Sequence, residues 1–409
     1  MTTNWKQKFL LIWSGQFVSL LSSSVVNFAI VLWLSLETGS AQVLAIAAIA
    51  ALLPQTLAGP FTGVLIDRWN RKRTMMLADL FVAFCTLVLA MLLYLHVSGA
   101  IYIYALLALR SLGSAFHMPA MQASIPLLAP ETELTRVNGI NQIIQSVSII
   151  AGPALAALFI SVLKIEQVLL LDVAGAILAC LSLVFVSIPN PERKTGVAYH
   201  FAAEMKEAVS AVRVVKGMPW LMFFSVTGLL FIMPISVLFP LMTLEHFNGT
   251  PFQISLIEIV WGVGMLIGGA VMGFRHYTVN QTGLLNSANI LLGLTFILSG
   301  VLPSSAYTGF VVFTIMGGIA GSVYQTTFMS LLQRKIDPAV LGRVISTYFS
   351  VSLLPSLIGL LGTGFLADTI GLGYSFVLSG LLLFLIGLTA FFVPSLWQLG
   401  KQTRGDSTI

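Results

Sequence analysis

The sequence predicts an all-α membrane protein: twelve transmembrane helices in two pseudo-symmetric six-helix halves. Three observations carry that expectation. Of 409 residues, 57% are apolar and only 9% are charged, with a mean hydropathy of +0.96. A soluble domain carries about 25% charged residues, so these charges are too few to cover a soluble surface. Twelve apolar segments can be counted, at about 9–36, 41–66, 74–96, 100–124, 138–163, 167–187, 219–244, 252–274, 283–302, 306–331, 344–367 and 373–396. Each is near the ~20 residues that a helix needs to cross a bilayer. Finally, with the N-terminus inside, 18 of the 20 Lys and Arg face inward, Lys164 alone faces outward, and Arg110 lies within a span. One missed span would scramble this positive-inside pattern.

Taken in order, the first span follows Lys6 and Lys8. The apolar run Phe9 to Leu36 is too long for a signal-peptide core, so it reads as a retained span. Spans 2 and 3 are joined by Gly63 to Arg73, which packs Asp67, Arg68, Arg71, Lys72 and Arg73 into seven residues, a tight basic inner loop. Span 4 carries Arg110 and His117, span 5 Gly139, Gly152 and Pro153, and span 6 Asp172. Residues 188–218 are polar, and within them Phe201, Met205, Val209, Val212 and Val215 recur at helical spacing, as in an amphipathic helix at a membrane surface. The chain therefore divides into an N-terminal bundle (1–187), a cytoplasmic linker (188–218) and a C-terminal bundle (219–409). In the second bundle span 8 carries Glu258 beside Trp261, while Glu245 and Asp368 sit at outer helix ends.

The two halves repeat weakly. Leu127 to Glu131 leads into Arg136-Val137-Asn138-Gly139 after span 4, and Leu331 to Lys335 leads into Gly342-Arg343-Val344 after span 10. The basic loop has its counterpart at Gly273-Phe274-Arg275-His276, stripped of most charge. Duplicated six-span halves mark secondary transporters. The net charge of +5 needs only a cytoplasmic leaflet to face, so no nucleic-acid partner is implied. Cys85 and Cys180 each lie in an apolar run and read as small core residues.

These residues resemble the major facilitator superfamily. The loop is similar to its span 2–3 motif, Gly-x-x-x-Asp-Arg-x-Gly-Arg-Arg/Lys. Gly63, Asp67, Arg68, Arg71 and Lys72 match, and Asn70 stands for the second glycine, tolerated because Asn also enters left-handed backbone conformations. Two stretches resemble the drug:proton antiporter branch. Arg110 to Gly113 sits where that branch has Arg-x-x-x-Gly, with the glycine one residue early and Ser114 in its place. Gly139, Gly152 and Pro153 fit its span-5 motif, with Ser148 and Ala156-Ala157 replacing other glycines by residues small enough for close helix approach. The whole length is also similar to the macrolide-efflux (Mef-type) proteins, in Asn4 to Lys6, Ile12 to Gln16, Arg110 to Pro119, Phe247 to Pro251 and Gly264 to Gly269. The resemblance implies the major facilitator fold, alternating access and proton-driven export of a bulky hydrophobic antibiotic. It also implies a bacterial-type inner or plasma membrane, with both termini cytoplasmic.

The candidate functional residues follow from cost. No phosphate-binding Gly-rich loop with Lys-Ser/Thr is present, so ATP does not drive the protein. No paired nucleophile and base points to an enzyme, and no metal or cofactor is called for. The energy is then expected from an ion gradient, which the resemblance implies is a proton gradient, and this directs attention to ionisable groups inside spans. An unpaired guanidinium at Arg110 would cost roughly 3 kcal/mol on insertion, so it faces a cavity or an acid. It reads as a proton-relay organiser or as half of a structural ion pair. Glu258 is the first candidate for proton coupling and Asp172 the second, because loss of hydration favours a neutral carboxyl. The alternative for both is an acid near the outer interface. Asp79 is expected to tie span 3 to the basic loop, and His117 is a lesser proton candidate. The loop itself reads as a conformational latch, with Asp67 capping a helix N-terminus or pairing with an inner base. A cavity between the halves is expected to draw on Gln16, Asn27, Asn141 and Gln145 from the first half, and on Phe231, Trp261, Asn289 and Tyr324 from the second. The implied function is proton-coupled export of hydrophobic drugs, macrolides first, by a monomer whose partners are a hydrophobic small molecule, protons and the bilayer. The alternatives are export of an endogenous amphiphile such as a siderophore or lipid, and a non-transporting membrane sensor.

Overall fold

A computed structural model describes residues 5–38, 41–97, 99–189, 201–274 and 279–401. Arg275 and His276 lie outside the described residues, as does the Asp368 side chain. Every regular element described is helical: α1 (Trp5–Thr38), α2 (Ala41–Arg68), α3 (Arg71–Tyr94), α4 (Ala100–Leu128), α5 (Leu134–Val162), α6 (Ile165–Val184), α7 (Phe201–Val214), α8 (Met218–Leu241), α9 (Pro251–Phe274), α10 (Gln281–Val301), α11 (Tyr307–Lys335), α12 (Pro338–Ile370), α13 (Leu372–Phe391) and the short α14 (Pro394–Leu399). Lipid offers no partner to a backbone N–H or C=O, and a helix satisfies both internally. Ten of these helices are long and apolar enough to cross a membrane, and α8 makes eleven when read with α7 as one bent pair. The 33-residue α12 completes the twelve segments counted in the sequence. Their exteriors are apolar: Leu77, Phe84, Ile101 and Phe185 are all exposed, a surface suited to lipid and not to water.

The chain forms two compact units. The first comprises Met1–Glu131, Val147–Val209 and Asp337–Ser350; the second comprises Thr132–Ser146, Ser210–Ile336 and Val351–Ile409. The first unit's apolar core gathers Val25, Ile30 and Leu34 of α1, Leu89 of α3, Leu107 of α4 and Leu169 of α6. The second is built on aromatics. Phe239 stacks on Phe310 at 5.5 Å and meets Phe376 edge-on at 5.4 Å, while Phe247 stacks on Phe310 at 4.9 Å.

Small residues set how closely helices approach, since lipid tails provide no hydrophobic drive to pair them. In the second unit a Cβ added at Gly264 of α9 would stand 2.2 Å from the Ile315 carbonyl oxygen of α11, and one at Gly293 of α10 would stand 2.5 Å from the Phe384 nitrogen of α13. The turn between α7 and α8 bends the chain by 103°. It is made by Gly217 at φ 91°, where a side chain would also strike the Ser395 carbonyl at 2.3 Å.

The α9–α11 contact is testable by overpacking. Gly264→Leu is expected to cost about 1–3 kcal/mol and to lower the thermal midpoint of the detergent-purified protein. An unchanged midpoint would show that α9 and α11 do not meet there.

Candidate functional site

The end of the bundle that carries the basic loop is called the inner end below. Asp67, in the last turn of α2, is the centre of the inner cluster in the first unit. Its carboxylate accepts the backbone N–H groups of Gly342 and Arg343 at 2.9 and 3.0 Å, and the Arg343 Nε at 2.9 Å. Those amides belong to the second turn of α12. Glycine makes the approach possible: a Cβ at Gly63 would stand 2.7 Å from the Arg343 Cα, and one at Gly342 would stand 2.5 Å from Asp67 Oδ1. Arg71 is fully buried. It donates to the carbonyls of Ala123, at 2.5 Å, and of Pro338, and lies 3.6 Å from Asp67. Lys72 Nζ donates to the carbonyls of Val184 and Val186 at 2.9 and 2.8 Å, closing the end of α6.

Asn70 works differently from the sequence expectation. Its backbone is extended at φ −68° and ψ 112°, and its Oδ1 accepts the Arg73 N–H at 3.0 Å. The residue is tolerated as the N-cap of α3, not through a left-handed conformation.

The linker helix supplies the rest of this cluster. Arg343 reaches the Glu204 carboxylate at 3.5 Å, the Glu204 carbonyl at 3.2 Å and the Glu207 carboxylate at 3.1 Å, and Arg68 pairs with Glu204. Thr347 adds a hydroxyl contact to Met205 Sδ at 3.6 Å. Sequence reading treated α7 only as an amphipathic surface helix. Two acids three residues apart, on a helix beside a loop with three more bases than acids, were the signal that could have found it.

Further from the loop, Arg110 of α4 lies buried in the first unit. Its guanidinium sits 2.7 Å from Asp172 Oδ2 of α6, donates to Asn27 Oδ1 of α1 at 2.9 Å and meets the Thr86 hydroxyl of α3. Asp172 also accepts Thr86 Oγ1 at 2.7 Å and Ser23 Oγ at 2.5 Å. Four helices thus converge on one ion pair, and exposed Asn27 marks where the cluster reaches the surface.

Asp79 and His117 form a second buried cluster. His117 Nε2 lies 3.3 Å from Asp79 Oδ1 and 2.8 Å from Gln16 Oε1, and Gln16 Nε2 donates to Asp79 Oδ2 at 3.5 Å. Asp79 therefore ties α3 to α4 and α1, and not to the basic loop. The loop bases already hold carbonyls and other acids, whereas His117 is two turns from Arg110 on the same helix.

The remaining candidates are spread out. Gly152 and Pro153 belong to the first unit, where a Cβ on Gly152 would stand 2.2 Å from Ser24 Oγ and the Ser24 hydroxyl donates to the Ser148 carbonyl at 2.8 Å. Gly139 belongs to the second unit and packs on α9: a Cβ there would stand 2.5 Å from the Gly273 nitrogen and 2.8 Å from the Gly269 oxygen. Gly269 and Gly273 have the four-residue spacing of Gly63 and Asp67, with a glycine in the second place instead of an acid. Nearby, Thr135 bonds Ser330 at 2.8 Å and Asn138 bonds Gln333 at 2.6 Å. Asn141 and Asn289 are buried, and Gln145 is half-buried. Phe231 and Trp261 pack against the aromatic core, and Tyr324 stacks on Phe328 at 6.3 Å. Glu258 lies exposed on α9 in the second unit. The structure thus brings Arg110, Asp172 and Asn27 together, and separately Gly63, Asp67 and Arg71, while Gln16 is fully buried with His117.

Comparison with known proteins adds the following. The family model described as Major Facilitator Superfamily matches residues 12–360. Macrolide efflux protein A of Streptococcus pyogenes is 38% identical over 386 residues, covering 94% of this chain and 95% of its own. Multidrug efflux pump Tap of Mycolicibacterium fortuitum is 26% identical over 391 residues, covering 91% and 92%. Among solved structures, a bacterial homologue of the iron transporter ferroportin, in an outward-facing state, matches with a TM-score of 0.76 at 16% identity over 95% of this chain and 99% of that one, a likeness of fold.

The contacts of Asp67 predict which amides depend on it. Breaking a buried pair costs about 3–5 kcal/mol, so Asp67→Ala is expected to speed hydrogen exchange at Gly342 and Arg343 by about a hundredfold or more. Glu204→Gln, which keeps the shape, is expected to cost about 1 kcal/mol and to loosen α7 first. Unchanged exchange at both amides in Asp67→Ala would remove Asp67 as the holding group.

Proposed function

The chain belongs to the Major Facilitator Superfamily, and from that premise we propose that it is a proton-coupled secondary exporter of hydrophobic drugs, with macrolide antibiotics the first substrate class, working by alternating access. The observation that carries the export reading is the likeness to a macrolide efflux protein, which runs the length of both halves. The energy source is the proton gradient. The protein acts as a monomer in a bacterial plasma membrane, with both termini cytoplasmic and its partners the drug, protons and the surrounding lipid.

In this reading the Asp67 cluster is the latch that alternating access must break and remake. Gly63 and Gly342 set the closeness, Asp67 supplies the charge, and Arg68, Arg71 and Lys72 hold the flanking helix ends. Arg110 and Asp172 are the coupling pair of the first unit. Proton binding by Asp172 would weaken its hold on Arg110 and free a guanidinium that has no other acid within reach among its described contacts. Glu258 is the coupling acid of the second unit, exposed on its span where a proton can reach it. Gly139 against α9, and Gly152 against α1 with Pro153 next to it, are the close-approach positions of the antiporter-like helix motif. Gln145, Asn141, Asn289, Phe231, Trp261 and Tyr324 contribute the few polar points and the aromatic wall that a greasy ligand of variable shape requires, with Asn27 the polar point beside Arg110.

Expression in an efflux-deficient host is expected to raise the inhibitory concentration of macrolides. Asp172→Asn is expected to cut export by about a hundredfold at equal membrane abundance, and Glu258→Gln to reduce its dependence on the proton gradient. No change for any macrolide would remove the substrate assignment, and full activity in both variants would remove these acids from coupling.

A further inference from the structure

The Arg110 and His117 clusters are built on one lattice. Ser23 and Gln16 on α1, Thr86 and Asp79 on α3, and Arg110 and His117 on α4 are each seven residues apart. Seven residues are two turns and about 10.5 Å of rise, so two decks of polar side chains lie on the same faces of three helices. On α6 the pattern stops: Asp172 anchors the outer deck, and seven residues later stands Ala179.

The decks differ in their cation. In the outer deck it is a guanidinium, which keeps its proton. In the inner deck it is an imidazole, which exchanges one near neutrality. Both atoms facing His117 Nε2, Asp79 Oδ1 and Gln16 Oε1, are acceptors, so that nitrogen carries a hydrogen whether the ring is neutral or charged. Gln16 donates from its own amide to the other carboxylate oxygen. The deck therefore changes from a net charge of −1 to 0 on gaining one proton, and keeps every contact.

We infer that Asp79 and His117, held by Gln16, form a second proton-binding station in the first unit, two turns inward of Arg110 and Asp172. The inference deepens the proton-coupled reading and rests on it. Few other groups compete for that proton. α1 contributes the neutral Gln16, with Lys8 two turns further inward, and α2 carries its two charges, Asp67 and Arg68, at its inner end. The bases Arg71, Lys72 and Arg73 of α3 lie two turns further inward, and α6 supplies Cys180, within electrostatic reach of Asp79.

Two measurements test it. The first needs no transport. In the purified full-length chain with carbon-13-labelled histidine, the His117 resonance is identified among five His by its loss in His117→Gln. Its shift is expected to follow pH across the range in which an imidazole changes charge, about 5 to 8, and to respond differently in Asp79→Asn. A signal fixed across that range overturns the inference. The second uses proteoliposomes with an imposed pH gradient and a radiolabelled macrolide. His117→Gln and Asp79→Asn are expected to lose about an order of magnitude of gradient-driven transport and its pH dependence, with Asp79→Glu restoring the pH dependence. Equal pH profiles in the parent and His117→Gln, at equal protein per vesicle, overturn the inference. A parent whose transport ignores collapse of the gradient overturns the proton-coupled reading instead, and the resonance then decides the station alone.

Discussion

A guanidinium inside a membrane must be answered by the protein, because the hydrocarbon cannot hydrate it. Arg110 is answered by Asp172, Thr86 and Asn27, and this one requirement draws α1, α3, α4 and α6 around a common point. The apolar core of the first unit, from Leu34 to Leu169, then packs beside the pair. Arg343 poses the same problem at the inner end and is answered by Asp67, Glu204 and Glu207. In both places the charge fixes which helices meet, and small residues fix how closely.

The repeat shows two solutions to one packing problem. In the first unit α2 meets α12 through a glycine and a carboxylate that receives backbone amides. In the second unit α9 meets α5 through Gly269 and Gly273 against Gly139, backbone on backbone. A carboxylate contact is strong and breaks as a unit, since losing one hydrogen bond exposes the buried charge to the loss of the others. A glycine contact rests on dispersion and close fit, each atom pair worth only about 0.1–0.2 kcal/mol, and tolerates sliding. The two units thus join helices by a charge in one place and by backbone contact in the other.

Most of the fold was legible in the sequence because a bilayer imposes length and charge sidedness on every span. The apolar runs and the linker helix could be read without coordinates. The Gly63 to Arg73 loop was legible for the same reason, as a charge cluster where hydropathy allows none. Partnerships were not. Asp172 is 62 residues from Arg110, and Asp67 is 276 from Arg343, and no local pattern announces such pairs. Asp79 was misassigned because nearness in sequence to a basic loop outweighed the seven-residue spacing shared with α1 and α4. The apolar spacing of Phe201, Met205 and Val209 says that the linker helix has two faces, but not what Glu204 and Glu207 on its polar side hold.

The two-turn spacing of the decks restricts how this sequence can change. Side chains between Arg110 and His117 face the gap between the decks or away from it, and substitution there leaves both decks in place. A single inserted or deleted residue does not. It turns everything beyond it by about 100°, carrying His117 off the face it shares with Arg110 while Asp79 and Gln16 stay where they are. The six residues between them include packing contacts of their own, such as Gly113 against Val82, but for the decks it is their number that matters, and the same holds on α1 and α3.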